Sequence, residues 1–96
     1  MRIEWSAWAL ADRDAIFDYI EADNPRAAAR LDKRIEDRVA SLRRLPNSGR
    51  PGRVEGTREL IVTRTPYIVA YRVIGETMRI LRVLHSSRLW PEHLPE

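Results

Sequence analysis

His85 is the residue of this sequence best suited to acid–base chemistry, because it closes the last run of apolar and β-branched residues. An imidazole titrates near neutral pH, so a histidine at a strand end can serve as a general acid or base. The structural alternative is a half-buried histidine whose ring is bonded to a backbone carbonyl. The sequence leaves both interpretations open.

Arginine is the second chemical signal, since the chain carries 17 basic and 14 acidic residues, a formal net charge of +3, and a single lysine. Residues 43–53 contain four arginines and no acid, and residues 64–88 contain five arginines and one acid. Planar guanidinium groups suit bidentate contact with phosphate or carboxylate. A genome rich in G and C would also favour arginine codons, but codon usage does not explain the clustering.

Other classes of site are excluded by what the sequence lacks. It has no phosphate-binding loop, no dinucleotide-binding glycine fingerprint and no serine nucleophile motif. Two histidines and no cysteine make a poor set of metal ligands, so neither a metal nor a cofactor is predicted. No apolar run approaches the roughly 20 residues of a membrane span, and no signal peptide is evident, which predicts a cytoplasmic protein without membrane contact.

The first half of the chain predicts a short strand followed by two helices. Residues 2–5 alternate as a strand, and Ser6 is suited to cap a helix over 7–22 whose apolar residues recur at helical spacing. Asn24 and Pro25 begin a second helix, which carries one apolar stripe and ends before Pro46. The tight turn between them predicts an antiparallel helical hairpin. Both early tryptophans, Trp5 and Trp8, are predicted to lie in the core.

The second half predicts strands over 59–63, 67–73 and 78–85, with breaker residues between them. The order β-α-α-β-β-β predicts an α+β fold in which the N-terminal helical hairpin packs on one face of a small antiparallel sheet. Residues 1–96 are expected to form a single domain. Its C-terminal tail, about 86–96, is short and polar enough to fray.

The sheet face away from the helices is expected to be available to partners, although both faces are partly apolar and the pattern does not show which is inward. Regular alternation places His85 on one face with Arg79, Leu81 and Val83. Aromatic and arginine side chains on an open sheet suit stacking on bases and holding phosphates, or binding an acidic peptide. The candidate partner-binding residues are Tyr67, Tyr71, Arg72, Trp90 (a packing lid or a partner contact) and, in the loop GRPGRVEG, Arg50 and Arg53.

Four segments together carry a family resemblance: IEWSAWALADRDAIFDYI, LRRLPNSGRPGRVEGTREL, PYIVAYRV and ILRVLHSSRLWP. Over nearly its full length the chain resembles the RelE/ParE family of bacterial toxins from type II toxin–antitoxin modules. The resemblance implies the β-α-α-β-β-β fold. It also implies a toxin kept silent by a cognate acidic, partly disordered antitoxin protein that folds on its surface.

The resemblance further implies one of two activities. RelE-like toxins cut mRNA on the ribosome, and on that interpretation His85 is catalytic, with Arg58, Arg64, Arg82 and Arg88 as candidate charge for the phosphate. ParE-like toxins poison DNA gyrase. The nuclease pattern is incomplete, because Tyr67 stands where many nucleases have an arginine and the lysines of several nucleases are absent. The chain is therefore predicted to be a ParE-like gyrase inhibitor and no enzyme, with a metal-independent endoribonuclease as the alternative.

Overall fold

The computed structural model describes residues 1–94, so residues 95 and 96 of the predicted tail lie outside the described part of the chain. The elements follow the predicted order, with one additional short strand between α2 and the meander. They are β1 (Arg2–Trp5), α1 (Ala7–Glu21), α2 (Pro25–Ala40), a 3-10 turn (Ser41–Arg43), β2 (Arg50–Pro51), β3 (Arg58–Ile61), β4 (Tyr67–Ile74) and β5 (Thr77–His85).

The predicted caps set where both helices begin. The Ser6 hydroxyl oxygen accepts the backbone N–H of Ala9 at 3.0 Å, and the Asn24 side chain accepts that of Ala27 at 3.1 Å. Each bond pairs a backbone donor that has no partner within the helix. Neither helix of the described range is long and apolar enough to cross a lipid bilayer.

A partly buried ion pair fastens the two helices to each other. Arg13 of α1 donates from Nε and one terminal nitrogen to the two carboxylate oxygens of Asp32 on α2, at 3.0 and 2.8 Å. The Arg13 guanidinium also lies 4.7 Å from the ring centroid of Trp5. Because Asp32 binds the charged guanidinium, the pKa of Arg13 is raised. The predicted helical hairpin is thereby joined to the first strand.

The sheet is mixed, which corrects the prediction of an antiparallel sheet. Within residues 1–94 its strand order is β1-β5-β4-β3-β2, and β1 runs parallel to β5 while the other neighbours are antiparallel. The first and last strands are separated by the whole helical hairpin and the meander, so the long connection that a parallel pair requires is available. Strand periodicity carries no information about this pairing.

The helix-covered face of the sheet holds the larger core. Its fully buried members come from both helices, the 3-10 turn, strands β3 to β5 and the residue after β3: Ala9, Ile35, Val39, Leu42, Leu60, Val62, Val69, Tyr71, Met78 and Ile80. Trp5 packs against this cluster as predicted. The prediction for Trp8 was wrong, since its side chain is 53% exposed. Ala9, one residue later, occupies the buried position on α1, which turns Trp8 to the flank of the helix.

The opposite face of the sheet is partly covered by the tail, which corrects the expectations of an open face and a frayed tail. Leu94 is buried against Ala70 and Leu81, and Trp90 packs beside them. The indole Nε1–H of Trp90 points at the His85 carbonyl at 3.4 Å. The apolar side chains of the tail cover apolar side chains of this sheet face that would otherwise be exposed to water.

A bulge in β5 overturns the predicted grouping of its side chains. Ala70 pairs with Arg82 and Tyr71 with Ile80, which leaves Leu81 as an extra residue on β5. One inserted residue reverses the alternation from that point. Leu81 consequently belongs to the tail-covered cluster and Val83 to the helix-covered one, although alternation had placed both on one face with His85.

Tyr71 connects the core to the loop that precedes β2. Its hydroxyl donates to the Pro46 carbonyl at 2.8 Å and accepts the Gly49 N–H at 3.0 Å. A Cβ at Gly49 would lie 2.7 Å from that hydroxyl, so the close approach depends on glycine. Burial raises the pKa of Tyr71, while the Gly49 bond and the charge of Arg58 act in the opposite direction.

We expect Tyr71→Phe to remove the loss of folding stability that ionisation of the Tyr71 phenol causes at alkaline pH. The variant loses about 1–2 kcal/mol at pH 7, because Gly49 and Pro46 lose their partner. In the wild type the raised pKa means that the unfolded chain releases its phenolic proton first, so this group's contribution is complete below about pH 10 and falls as pH rises further. The stability gap between the two proteins, measured by urea unfolding from pH 7 to 11, should narrow above pH 10. Tyr19→Phe, at an exposed tyrosine, should keep the wild-type slope, and a constant gap for Tyr71→Phe would contradict the assignment.

Candidate functional site

A cleft of about 540 Å³ opens where α1 passes the end of β5. The structure places here two of the predicted nuclease arginines, the candidate acid–base residue and one predicted partner-binding tyrosine. The lining residues are Asp12, Ala15, Ile16, Tyr19, Tyr67, Arg82, Val83, Leu84, His85, Ser87 and Arg88.

The face of α1 that lines the cleft carries two exposed aromatic groups, Tyr19 within the cleft and Trp8 just before the lining residues along the helix. Asp12, Ala15 and Tyr19 lie at helical spacings of three and four, and Trp8 lies one turn before them on the same face. Tyr19 is 80% exposed. The Arg82 guanidinium lies 5.6 Å from the Trp8 ring centroid. This face of α1 therefore offers rigid aromatic surface beside an arginine side chain, a composition enriched in protein interfaces.

Asp12 forms the contact that fixes this face of α1 to the sheet. Its carboxylate accepts two bonds from Arg82, at 2.7 Å from Nε and 2.9 Å from the terminal nitrogen, and a third from the Val83 backbone N–H at 2.9 Å. Both side chains are mostly buried, and the bond to Asp12 raises the pKa of Arg82. Arg82 thus has its charge matched inside the protein and is held in place.

His85 sits at the end of β5 with one ring nitrogen already engaged. Nδ1 accepts the Ser87 backbone N–H at 3.1 Å and lies 2.7 Å from the Ser87 hydroxyl. A neutral imidazole that accepts at Nδ1 carries its proton on Nε2. The ring meets Tyr67 edge to face, with 5.4 Å between centroids. The histidine can donate from Nε2, and its accepting nitrogen is occupied by its own turn.

The remaining nuclease candidates are dispersed. Arg88 lines the cleft with His85. Arg58 pairs with Tyr71, whereas His85 pairs with Tyr67, four residues or about 13 Å away along β4. Arg58 also lies on the other side of β4 from His85, and it donates to the Gly49 carbonyl at 2.8 Å. Arg64 lies in the β3–β4 turn with φ 66° and lines a second cleft, of about 410 Å³, beside Arg34 and Arg38.

The loop between the 3-10 turn and β3 is organised by a buried carboxylate. Glu59 is 2% exposed; it accepts Arg50 at 3.0 Å and the Arg53 backbone N–H at 2.8 Å. The Arg53 guanidinium also stacks 3.9 Å from the Trp90 ring centroid. Arg50 and Arg53, proposed from the sequence as partner contacts, are engaged within the chain while remaining about half exposed. A role for them in binding a partner stays a prediction.

Two other predicted partner residues, Tyr71 and Arg72, make contacts within the fold. Tyr71 is fully buried, so the sequence prediction of a surface contact was wrong; its place in the β4 alternation did not reveal that both its ring and its hydroxyl are used inside. A terminal nitrogen of Arg72 lies against Gly56, where a Cβ would meet it at 2.7 Å and where φ is +80°. The positive φ favours glycine there, whereas the arginine side-chain end could shift.

Three residues that shape these sites were missed from the sequence. An acid inside a strand of apolar neighbours, as Glu59 is, signals a buried pair. Tyr19 extends the spacing of Asp12 and Ala15, which marks one face of α1. The pairing of Asp12 with Arg82 joins residues 70 positions apart and leaves no local pattern. Among residues 1–94, no group of three or more histidine or acidic side chains is arranged to hold a metal ion.

The sequence model of one protein family, the ParE toxin of the type II toxin–antitoxin system parDE, matches residues 3–90. The chain belongs to this family. It is a toxin of a type II toxin–antitoxin system, and its partner in that module is a cognate antitoxin. The resemblance derived from the four sequence segments is thus confirmed at the level of the RelE/ParE family.

Individual relatives agree with the family match. The toxin is 47% identical over 93 residues to the protein Y4kP of Sinorhizobium fredii, covering 97% of this chain and 96% of that protein. It is 38% identical over 88 residues to Toxin RelE2 of Caulobacter vibrioides, covering 92% and 98%. It matches a solved chain of a chromosomal ParDE system from P. aeruginosa with a TM-score of 0.83 and 34% identity, covering 88% of this chain and 95% of that one. A YoeB/ParE toxin from Agrobacterium tumefaciens, 18% identical with a TM-score of 0.61 and covering 88% and 98%, shares the fold.

We expect Asp12→Ala to destabilise the toxin by about 2–3 kcal/mol, because it leaves the Val83 N–H and the mostly buried Arg82 charge unpaired. Asp12→Asn, which keeps an acceptor oxygen, should cost about half as much. Urea unfolding measures both. Asp14→Ala, at an exposed acid on the same helix, is the matched control and should change stability by less than ~0.5 kcal/mol. Equal effects of Asp12→Ala and Asp14→Ala would contradict the role assigned to Asp12.

Proposed function

We propose that this toxin acts by binding DNA gyrase and that it catalyses no reaction. The observation that carries the proposal is the state of the cleft: His85 accepts at Nδ1 from its own turn, and Arg82 is held bidentately by Asp12. The match to the parDE family and the 34% identity to a chain of a ParDE system favour the same branch.

Metal-independent cleavage of RNA makes demands that this cleft meets poorly. The reaction needs a proton acceptor for the 2′-hydroxyl, a proton donor for the leaving oxygen, and cations for the transition state. His85 offers a donor at Nε2, and its acceptor is already bonded to Ser87. Of the four arginines considered, only Arg88 lines the cleft without the bidentate carboxylate bond that Arg82 makes. The groups present are better suited to holding a protein surface than to moving protons.

The second candidate function is a ribosome-dependent mRNA endoribonuclease. The observation in its favour is that His85, Arg82 and Arg88 line one cleft. A relative named Toxin RelE2 is 38% identical over nearly the whole chain. On this alternative, binding of RNA would have to displace Ser87 from the imidazole.

We propose further that an acidic, apolar segment of the antitoxin neutralises the toxin by occupying the same cleft. Tyr19 within the cleft and Trp8 beside it on the same face of α1 supply exposed aromatic surface, and Arg88 supplies positive charge to the lining. A disordered segment that folds on binding gains apolar burial from the former and charge complementarity from the latter.

Replacement of His85 separates the two candidate functions. We expect His85→Ala to keep full toxicity when expressed from a regulated promoter, with double-strand breaks and an SOS response in cells whose mRNA stays intact. His93→Ala, at the other histidine, is the matched control for expression and folding. Codon-phased mRNA cleavage by the wild type that disappears in His85→Ala would overturn the gyrase proposal and make His85 catalytic.

Reversal of one charge tests the antitoxin proposal separately. We expect Arg88→Glu to weaken binding of the cognate antitoxin by about tenfold, equivalent to ~1.4 kcal/mol, since an attraction at the cleft becomes a repulsion. Calorimetric titration of purified toxin with antitoxin measures the change. Arg43→Glu, at an exposed arginine after α2, carries the same change of net charge and should bind like the wild type. Equal losses in both variants would show that only overall charge matters.

A further inference from the structure

The outer edge of β1 is open to another strand. In the part of the chain that the structure describes, β1 has a neighbour on one side only, namely β5. The Arg2 N–H donates to the Glu76 carbonyl at 2.8 Å and the Ser6 N–H to the Ile80 carbonyl at 2.9 Å, so the even-numbered residues face β5. The backbone groups of Ile3 and Trp5 consequently point outward. Such an edge is a template for a further strand.

The two faces of β1 differ in chemistry. Ile3 and Trp5 pack against the helix-covered core. Arg2 and Glu4 lie on the opposite face, 2.7 Å apart, with side chains 75% and 40% exposed. The helix α1 packs mainly on β5, the inner neighbour of β1.

We propose that the strand that pairs with this edge is β1 of a second copy of the toxin. The two strands run antiparallel about a two-fold axis that passes between their Ile3 residues. In this register the outward backbone groups of Ile3 face one another, and those of Trp5 face residue 1 of the other copy, as an antiparallel ladder requires. Arg2 of each copy then lies directly opposite Glu4 of the other.

Charge selects this register over its neighbours. Only odd-numbered residues present backbone groups to the edge, so the alternatives are shifts by two residues. One such shift places Arg2 opposite Arg2, and the other places Glu4 opposite Glu4. Like charges opposite one another destabilise a strand pair, whereas opposite charges stabilise it. The sequence Arg-Ile-Glu is thus self-complementary about its centre.

The pairing would join two five-stranded sheets into one continuous sheet with both helical hairpins on the same face. The Glu4 carboxylate, which lies 2.7 Å from Arg2 and 4.0 Å from Arg79 of its own chain, would gain a third guanidinium group from Arg2 of the other copy. The interface is one short strand wide, so the association is weak and depends on concentration. The inference concerns assembly and stands whether or not the toxin acts on gyrase.

A mixing experiment with charge-reversed variants tests the proposal on the full-length toxin, separated from its antitoxin and refolded. Sedimentation velocity from low- to high-micromolar concentration should show a monomer–dimer equilibrium for the wild type. Arg2→Glu and Glu4→Arg should each raise the dimer dissociation constant by roughly tenfold or more, because each sets two like-charged pairs opposite one another. An equimolar mixture of the two variants should dimerise like the wild type, since each facing pair then joins a carboxylate of one variant to a guanidinium of the other.

Controls distinguish a loss of dimerisation from a loss of folding in the variants. Circular dichroism should be the same for all variants, and Arg26→Glu, at an exposed arginine on α2, should dimerise like the wild type. Hydrogen exchange should show protection of the Ile3 and Trp5 amides that rises with toxin concentration. A wild type that stays monomeric, or a mixture that stays monomeric, would overturn the proposal. Protection that appears only when antitoxin is added would also overturn it and assign the edge to an antitoxin strand.

Discussion

The bond between Asp12 and the end of β5 is the constraint on which the functional part of this structure depends. β1 ends at Trp5, opposite Ile80, while β5 continues to His85. Beyond that point the edge of β5 has no strand beside it, and side chains take over: the Ser6 hydroxyl donates to the Leu81 carbonyl at 2.8 Å, and Asp12 accepts the Val83 N–H. Buried backbone groups need such partners. Because Ser6 and Asp12 supply these hydrogen-bond partners, the chain can leave the sheet at Ser6. The helix that follows can then still enclose a cleft against the sheet.

Carboxylates of the chain itself divide the arginines into two groups. Arg82 is neutralised by Asp12, Arg13 by Asp32, and Arg50 by Glu59, so several arginines stabilise the fold. Pairs of this kind hold their geometry because the guanidinium is planar and binds two oxygens at once. Arg82, Arg34 and Arg38 line the clefts too, but their side chains donate to Asp12 and to backbone carbonyls. The side chains of Arg88 in one cleft and Arg64 in the other make no such bond within the described part of the chain, so we expect their charge to be available to a partner. A count of basic residues does not distinguish these two groups.

Local patterns predicted the parts of the fold that local physics determines. Both helix caps, the α2 stripe and the three long strands follow from side-chain type and spacing within a few residues. The parallel β1–β5 pair, the bulge that makes Leu81 an extra residue, and the Asp12–Arg82 bond were not predictable, since each joins segments far apart in sequence or depends on the partner strand. For the site, the structure brings His85, Arg82 and Arg88 of the predicted group into one cleft, and their role stays a prediction. Arg58 and Arg64 lie elsewhere, and the sequence could not show this because it does not reveal the register in which the strands pair.

The parallel pairing of β1 with β5 has a consequence for how the toxin is made. β1 and α1 are synthesised before β5, the strand that binds both of them and the last regular element in the described part of the chain. Their contacts span about 75 positions, as the bond from Ser6 to Leu81 shows. Closing such a loop is slow and cannot precede synthesis of its second end. The cleft is thus completed only when β5 is released, and the nascent chain carries the helical hairpin, complete at Ala40, without a finished binding surface until His85 has been added.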